Sequence, residues 1–234
     1  MKFLPTTKEE MKNLGWDSID VLLISGDTYL DTSYNGSALV GKWLVEHGFK
    51  VGIIAQPEVD VPDDITRLGE PNLFFAVSGG CVDSMVANYT ATKKRRQQDD
   101  FTPGGVNNKR PDRAVLVYSN MIRRFFKGTT KKIVISGIES SLRRITHYDY
   151  WTNKLRKPIL FDAKADILSY GMGEMSMLQL ATALKNGEDW QNIRGLCYLS
   201  KENKEGYLSL PSHSECLADK DKFIEAFHTF YLNC

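Results

Sequence analysis

Short, unbroken apolar runs alternate with amphipathic stretches along most of the chain. Residues 21–25 form the first run and predict a strand buried on both faces, because a strand with one solvated face would alternate apolar and polar positions. Residues 37–47 carry apolar side chains at helical spacing, and a second apolar run follows at residues 49–55. This order predicts a βαβ unit, in which a right-handed crossover joins two parallel strands.

The same alternation continues toward the carboxyl terminus. Further strands are predicted at residues 72–77, 132–136 and 166–170, a shorter strand at 159–161, and helices at 82–89, at 114–126 and after residue 174. Strands that alternate with helices along a chain form a parallel sheet with helices on both faces. The predicted fold class is therefore α/β: a doubly wound, Rossmann-like domain with a mainly parallel sheet of about five strands.

The predicted sheet domain spans residues 15–190 and has a short element on each side. Residues 1–14 predict an N-terminal helix capped by Thr6 or Thr7. Residues 191–234 predict an extension that leads away from the sheet and consists of a hairpin and a helix.

Two patterns define the predicted extension. Apolar runs at residues 195–199 and 207–210 flank a polar turn, which is typical of a hairpin. The helix predicted at residues 219–231 is strongly apolar on one side, which indicates a surface that packs against another domain. The residues on that side are Phe223, Ile224, Phe227, Phe230 and Tyr231.

Polar and glycine-rich segments follow the predicted strands at their carboxyl ends, where ligands bind in open parallel sheets. These segments are residues 27–36, 78–80, 137–151 and 171–174. Adjacent glycines in the second segment let a ligand approach the backbone, or they form only a tight turn. Arg143 and Arg144 in the third segment have two alternative roles. They contact a ligand, or they stabilise their own loop by forming ion pairs with Glu139 and Asp149.

A run of four cations occupies residues 93–96 and could contact phosphates. Amide and acidic side chains follow at residues 97–100, and no aromatic side chains are interleaved. The surrounding segment, residues 92–112, is therefore predicted as a solvated helix end and a long surface loop. A net charge of +1, from 30 Lys and Arg against 29 Asp and Glu, excludes a globally basic nucleic-acid binder but not a local basic patch, and nucleic-acid binding is predicted to be unlikely.

The composition, 42% hydrophobic and 25% charged, is typical of a globular protein and not of a disordered chain. No apolar run approaches the length of a membrane span, and the N-terminus lacks the apolar core of a secretory signal, so a cytoplasmic location is predicted. The cysteines are scattered without a C-x-x-C pair, which predicts reduced thiols and no zinc site. They are Cys81, Cys197, Cys216 and Cys234.

Sequence motifs of several enzyme classes are absent. The chain lacks a P-loop lysine, an H-E-x-x-H zinc motif and a nucleophile elbow. His213 and Cys216 have a ligand-like spacing, but no second pair accompanies them. The G-x-G at residues 171–173 is not a dinucleotide fingerprint, because the first strand-to-helix turn has none. No catalytic residue and no metal ligand is assigned.

Several longer motifs occur in one order along the chain. They are GDTYLD at 26–31, GIIAQP at 52–57, KRPDRA at 109–114, GIESSLRR at 137–144, HYDYW at 147–151 and KAD at 164–166. With these motifs the chain, from about Phe3 to its end, resembles the N-terminal region of the YgiQ-type radical SAM proteins.

The resemblance implies a cobalamin-binding-like domain that precedes a radical SAM barrel. The family's barrel carries a CxxxCxxC motif whose thiolates hold a [4Fe-4S] cluster and leave one iron for S-adenosylmethionine. This chain has no such motif, so both cofactors are expected only in the full-length protein, with the barrel as partner. The resemblance also leaves cobalamin binding open, although Tyr29 stands where cobalt-ligating domains carry a histidine.

Two functional hypotheses follow from this resemblance. In the first, the chain is an accessory domain that shapes a cofactor or substrate cleft and is not catalytic alone. In the alternative, it is a stand-alone module that binds a small molecule or a protein, and neither hypothesis involves a membrane. The candidate cofactor-binding residues are Asp27, Tyr29, Asp31, Gly36, Ser78, Gly79, Gly80, Gly137, Glu139, Arg143, Gly171, Gly173 and Glu174.

Overall fold

The computed structural model of the chain describes residues 3–32 and 35–233. Its strands are β1 (Val21–Ser25), β2 (Val51–Ala55), β3 (Phe74–Ser78), β4 (Lys132–Ser136), β5 (His147–Asp149), β6 (Lys154–Arg156), β7 (Ile167–Ser169) and β8 (Leu196–Tyr198). Its helices are α1 (Lys8–Asn13), α2 (Gly36–Glu46), α3 (Pro62–Thr66), α4 (Ser84–Asn88), α5 (Ala114–Phe125), α6 (Gly137–Ser141), α7 (Ile159–Ala163), α8 (Glu174–Asn186), α9 (His213–Ala218) and α10 (Lys220–Leu232). A short 3₁₀ turn covers Pro103–Gly105.

The main sheet has the strand order β2-β1-β3-β4-β7-β8, and its first five strands are parallel. Successive side chains of these strands enter two separate apolar cores, one on each face of the sheet. Helices α5 and α7 contribute to one core, and α2 and α8 contribute to the other. The predicted doubly wound α/β fold is confirmed, and burial on both faces explains why the strand segments are apolar throughout.

The strand order changes direction at β1. From β1 the chain passes through α2 to β2 on one side, whereas from β3 it passes through α5 to β4 on the other side. Because α2 and α5 pack on opposite faces, the connections that leave β1 and β3 diverge. Such a switch point opens a crevice at the carboxyl ends of the two strands.

Two predicted strands were wrong. The expected hairpin between residues 195–199 and 207–210 does not form, because β8 pairs antiparallel with β7 and residues 207–210 are not in a strand. This pairing satisfies the backbone groups along the outer edge of β7. The expected strand at residues 159–161 is the start of α7, where Ile159, Leu160 and Ala163 turn inward at helical spacing.

The terminal helices were predicted in outline. Thr7 caps α1, and Glu10 completes a capping box by accepting from the Thr7 amide. The helix predicted at residues 219–231 is α10, which is capped by Asp219. The short helix before it, α9, is capped by Ser212 and was not predicted. The final residue of the predicted extension, Cys234, lies outside the described residues. None of the described helices has the length and apolar content needed to cross a bilayer.

Candidate functional site

An open cleft of about 480 Å³ lies at the switch point of the sheet. Its floor consists of apolar side chains from β1, β3, α2 and α8: Leu23, Ala76, Val40 and Met177. Its walls are formed by the segments that follow β1, β3, β4 and β7. The predicted positions that line it are Asp27, Gly36, Ser78, Gly80, Gly137, Gly171 and Gly173.

Sequence reasoning missed several other residues of the cleft wall. They are Asn35, Ser37, Cys81, Ser136, Ile138 and Met172. Asn35, Ile138 and Met172 lie inside the predicted segments but were not selected as site residues. Ser37, Cys81 and Ser136 lie one residue beyond a predicted segment, so extending each segment by one residue would have included them. Asn35 also fixes the entry to α2, since its Oδ1 accepts from the Ala38 amide at 3.1 Å.

Two predicted residues of the first loop have structural partners and do not line the cleft. The hydroxyl of Tyr29 accepts from the Leu4 amide at 3.0 Å, and burial raises its pKa. Asp31 forms an ion pair with Lys42 on α2. Ser33 and Tyr34, from the same predicted segment, lie outside the described residues. The first loop therefore contributes Asp27 to the cleft at one end, and Asn35 and Gly36 at the other.

Glu139 lies behind the cleft and connects three segments. Its carboxylate is buried and accepts from the backbone amides of Ser84 at 2.9 Å and Val115 at 3.2 Å. Burial raises its pKa, and the nearby Asp83 carboxylate adds to this effect. A Cβ atom at Gly79 would lie 3.1 Å from the Glu139 carboxyl carbon, so the lack of a side chain at Gly79 leaves room for this carboxylate. Gly79 itself does not line the cleft.

Arg143 and Glu174 also lie away from the cleft wall. Arg143 forms an ion pair with Asp83 and donates to the Glu139 carbonyl at 3.0 Å. The expectation that the loop arginines pair with Glu139 and Asp149 was therefore wrong in its partners. Arg143 pairs with Asp83 instead, and Asp149 pairs with Arg113 at 2.8 Å. Glu174 begins α8 and is half-buried beside the glycines that do line the cleft.

Asp27 is held rigidly at the end of β1. Its Oδ1 lies 2.5 Å from Nη2 of Arg110, and its Oδ2 accepts from the Cys81 amide at 2.6 Å. Burial raises the pKa of Asp27, while the Cys81 amide and the Arg110 guanidinium oppose this shift. A Cβ atom at Gly80, where φ is +112°, would lie 2.5 Å from the Asp27 carboxyl carbon. This packing requires glycine at position 80.

The segment at residues 92–112 was predicted as a surface loop, and this was wrong for its second half. Arg110 is fully buried, donates from Nε to the Gly26 carbonyl at 2.9 Å and also contacts Asp99 at 3.3 Å. Gln56 bridges the Gly26 carbonyl and the Thr102 hydroxyl, at 3.0 Å and 2.7 Å. The segment therefore crosses the carboxyl end of the sheet and packs against the strand ends. The expected helix end is also absent, because α4 ends at Asn88.

The described residues do not fit an iron–sulfur cluster. Cys81 follows β3, Cys197 lies in β8 and Cys216 lies in α9, and burial raises the pKa of Cys197 to about 11. Within residues 3–32 and 35–233 no three His, Cys, Asp or Glu side chains are arranged to hold a metal ion. Cluster ligation requires several thiolates at one point, which these positions do not supply.

Comparison with protein families gives one match that covers almost the whole chain. The family described as Radical SAM N-terminal matches residues 3–234. A UPF0313 protein of Fusobacterium nucleatum subsp. nucleatum is 97% identical over all of this chain and 41% of the relative. One from Thermotoga petrophila is 53% identical over 96% of this chain and 40% of the relative. The chain thus spans about two-fifths of the length of these curated relatives.

Two solved structures share the fold at low sequence identity. Both are of TsrM, a radical S-adenosylmethionine methyltransferase from Kitasatospora setae. The structure with cobalamin and a [4Fe-4S] cluster bound has a TM-score of 0.52 and 18% identity, over 79% of this chain and 28% of TsrM. The structure with tryptophan substrate and a SAM analogue bound has a TM-score of 0.51 and 17% identity. This likeness supports the α/β fold.

Proposed function

Since this chain belongs to the radical SAM N-terminal family, we propose that it is the accessory domain of a longer radical SAM enzyme. In this proposal its cleft forms one wall of the cofactor or substrate site, and the domain has no catalytic activity alone. The observation that carries the proposal is the cleft itself, which lies at the switch point of the sheet and is walled by segments that follow four parallel strands.

The chemistry of such an enzyme would come from the part of the relatives that this chain does not span. A [4Fe-4S] cluster and S-adenosylmethionine supply radical chemistry when bound, and the described thiols do not fit the cluster. The role proposed for this chain is therefore to bind and orient a ligand. Its cleft offers an apolar floor and the hydroxyls of Ser37, Ser78 and Ser136.

Cobalamin is the ligand that we propose to test first. The cleft lining contains no histidine, and Tyr29 bonds to the Leu4 amide, so the described residues fit a corrin only without a protein imidazole on cobalt. An apolar floor with hydroxyl groups suits a ligand that combines a flat ring with polar groups. Residues near Ser37, Ser78 and Gly137 would contact it, and Asp27 is held in place by Arg110 and the Cys81 amide.

Replacing Gly36 with leucine is expected to block ligand binding without loss of fold. A Cβ atom at Gly36 has no neighbour within 4 Å, and the residue lines the cleft in the first turn of α2. The added side chain should therefore occupy cleft volume and weaken hydroxocobalamin binding by at least about tenfold. Binding is measured by the change in the corrin absorption spectrum on titration, and folding by thermal unfolding.

Glu46→Leu is the matched control, because Glu46 is exposed at the other end of α2 and does not line the cleft. It should bind hydroxocobalamin as the unmodified chain does. Equal binding by Gly36→Leu and Glu46→Leu would place any corrin outside this cleft. No spectral change with the unmodified chain would remove cobalamin from the proposal and leave the cleft for another small molecule.

The exposed face of α10 is the surface that we propose the rest of the longer protein covers. Phe227 and Tyr231 stack in parallel on this face and are 54% and 70% exposed. Ile224, which lies about one turn before Phe227 on α10, extends the same apolar surface. Phe230 points inward, and the Arg144 guanidinium lies 4.4 Å from its ring centre, so the helix is anchored to the domain while its outer face stays open.

The isolated chain is expected to self-associate through this face, and the double variant Phe227→Asp/Tyr231→Asp is expected to be monomeric. Charges on the exposed rings remove the gain from burying apolar surface, which is roughly 25 cal/mol per Å². Sedimentation velocity over a range of concentrations measures the change. Phe161→Asp is the control, since Phe161 is similarly exposed on α7. A monomeric unmodified chain that binds no hydrophobic dye would favour the stand-alone module.

A further inference from the structure

The four cations at residues 93–96 lie on an exposed turn. The turn is closed by an antiparallel bridge between Tyr89 and Arg95 and by a bond from the Thr90 amide to the Lys94 carbonyl at 2.8 Å. Lys93 adopts a left-handed conformation at the turn, with φ of +61°. All four cationic residues are exposed, so the backbone holds their charges together at the surface.

Aromatic rings from a distant segment pack against this turn. Tyr150 donates from its hydroxyl to the Ala91 carbonyl at 2.8 Å, and the ammonium of Lys93 lies 4.7 Å from the Tyr150 ring centre. The ring centres of Tyr89 and Trp151 are 5.1 Å apart, and those of Tyr150 and Trp151 are 5.6 Å apart. Tyr150 is 50% exposed. The structure thus supplies the aromatic side chains that the basic run lacks in sequence.

Most of the positive charge on this surface is not neutralised. Arg95 pairs with Asp112 at 3.4 Å, and Asp149 is buried and held by Arg113. Within the described part of the chain, Lys93, Lys94 and Arg96 have no carboxylate within ion-pair distance. The turn and the rings belong to the connections that follow β3 and β4, whose carboxyl ends also border the cleft.

We propose that this aromatic–basic patch binds single-stranded nucleic acid. The patch is defined as Tyr89, Lys93, Lys94, Arg95, Arg96, Tyr150 and Trp151. Unpaired cations attract the phosphate backbone, and partly exposed rings offer faces on which unpaired bases stack. An acidic peptide would use the cations but would gain nothing from the rings, so the combination favours nucleic acid. The proposal does not depend on the ligand of the cleft.

The test is fluorescence anisotropy of labelled oligouridylate and oligothymidylate of about twelve nucleotides, titrated with the chain. Binding should be saturable and should weaken between about 50 and 200 mM salt, with a logarithmic slope near −2 for three contacted phosphates. Comparison of oligouridylate with oligodeoxyuridylate, which differ only in the sugar, shows whether the 2′-hydroxyl contributes. A duplex of the same length should bind more weakly, because its bases are already stacked.

Variants separate the charges from the rings. Lys94→Glu should weaken binding at least about fivefold and reduce the magnitude of the salt slope by about 0.7, the contribution of one phosphate contact on a single strand. Tyr150→Ala should weaken it about tenfold, whereas Tyr150→Phe, which keeps the ring and loses the bond to Ala91, should bind nearly as the unmodified chain. Lys12→Glu is the control, since it makes the same change in net charge at an exposed position on α1.

Three results would overturn the proposal. The first is the absence of saturable binding to either oligonucleotide at low salt. The second is equal weakening by Lys94→Glu and Lys12→Glu, which would mean that only the overall charge matters. The third is equally effective competition by a polyglutamate peptide of the same length, which would make the patch a site for acidic peptides. Circular dichroism of each variant shows whether its fold is kept.

Discussion

Replacing Arg110 with methionine is expected to lower the free energy of unfolding by about 3–5 kcal/mol near neutral pH. Methionine keeps most of the volume but removes the positive charge that lies between Asp27 and Asp99. Both carboxylates are buried, so neither can recover full hydration. Loss of the bond to the Gly26 carbonyl also releases the segment that crosses the strand ends. Urea unfolding followed by circular dichroism measures the effect.

The pH dependence of this loss provides a sharper test. Burial already raises the pKa of Asp27, and removal of Arg110 should raise it further. A carboxyl group whose pKa is higher in the folded state favours folding at low pH and disfavours it as pH rises through that pKa. The deficit of Arg110→Met should therefore be smaller at pH 5 than at pH 8.

Arg95→Met is the control for Arg110→Met. Arg95 also pairs with an aspartate, but both side chains are 42% exposed, so its loss should cost less than about 1 kcal/mol. If the two variants lose equal stability, or if the deficit of Arg110→Met does not depend on pH, then the buried cluster does not hold the carboxyl edge of the sheet.

Gly26→Ala is expected to destabilise the fold by about 3 kcal/mol or more, because it forces two strand ends apart. A Cβ atom at Gly26 would overlap the Gly79 carbonyl oxygen and would lie 2.7 Å from its carbon. The neighbour is backbone and cannot turn away as a side chain could. The Gly26 amide also bonds to the Ser78 carbonyl at 3.0 Å, so the shift would weaken the β1–β3 junction under the cleft.

Gly36→Ala is the control for this prediction, since its Cβ atom meets no atom within 4 Å and it begins a helix. Its unfolding free energy should change by less than about 1 kcal/mol, in the stabilising direction. Thermal unfolding of the two variants and the unmodified chain gives the comparison. A Gly26→Ala variant as stable as Gly36→Ala would mean that the strand ends adjust easily.

Local patterns gave correct predictions for the long apolar runs and for the first helix cap, which depend on neighbours in sequence. The apolar run at β1 predicted a strand buried on both faces, and the run at β2 predicted its parallel neighbour. Thr6 or Thr7 was predicted to cap the first helix, and Thr7 caps α1. The approximate position of the cleft also followed, since ligand crevices form at the carboxyl ends of parallel strands. The misassigned strand at residues 159–161 shows the limit of this reasoning, because a run of three apolar residues fits a strand or a helix equally well.

The roles of individual polar residues could not be predicted in this way. Tyr29, Glu139 and Arg143 are polar residues near strand ends, as ligand-binding residues would be, but each bonds to protein groups outside the cleft. Their partners are up to 60 positions away in sequence. The sequence of a short segment does not indicate such partners, because a hydrogen bond depends on distance in space and not on separation along the chain.

The sequence by itself determined the alternation of the five parallel strands with helices, because apolar runs and periodic apolar positions indicate which faces of these elements are buried. It also determined the family, through motifs such as those at residues 26–31 and 137–144. Only the tertiary structure decided that Arg110 is buried against Asp27, which is 83 positions away in sequence. It also decided that Tyr150 lies beside Lys93, the first of the four cations at residues 93–96. Packing brings these charges and rings together after long chain excursions, and no local pattern encodes that proximity.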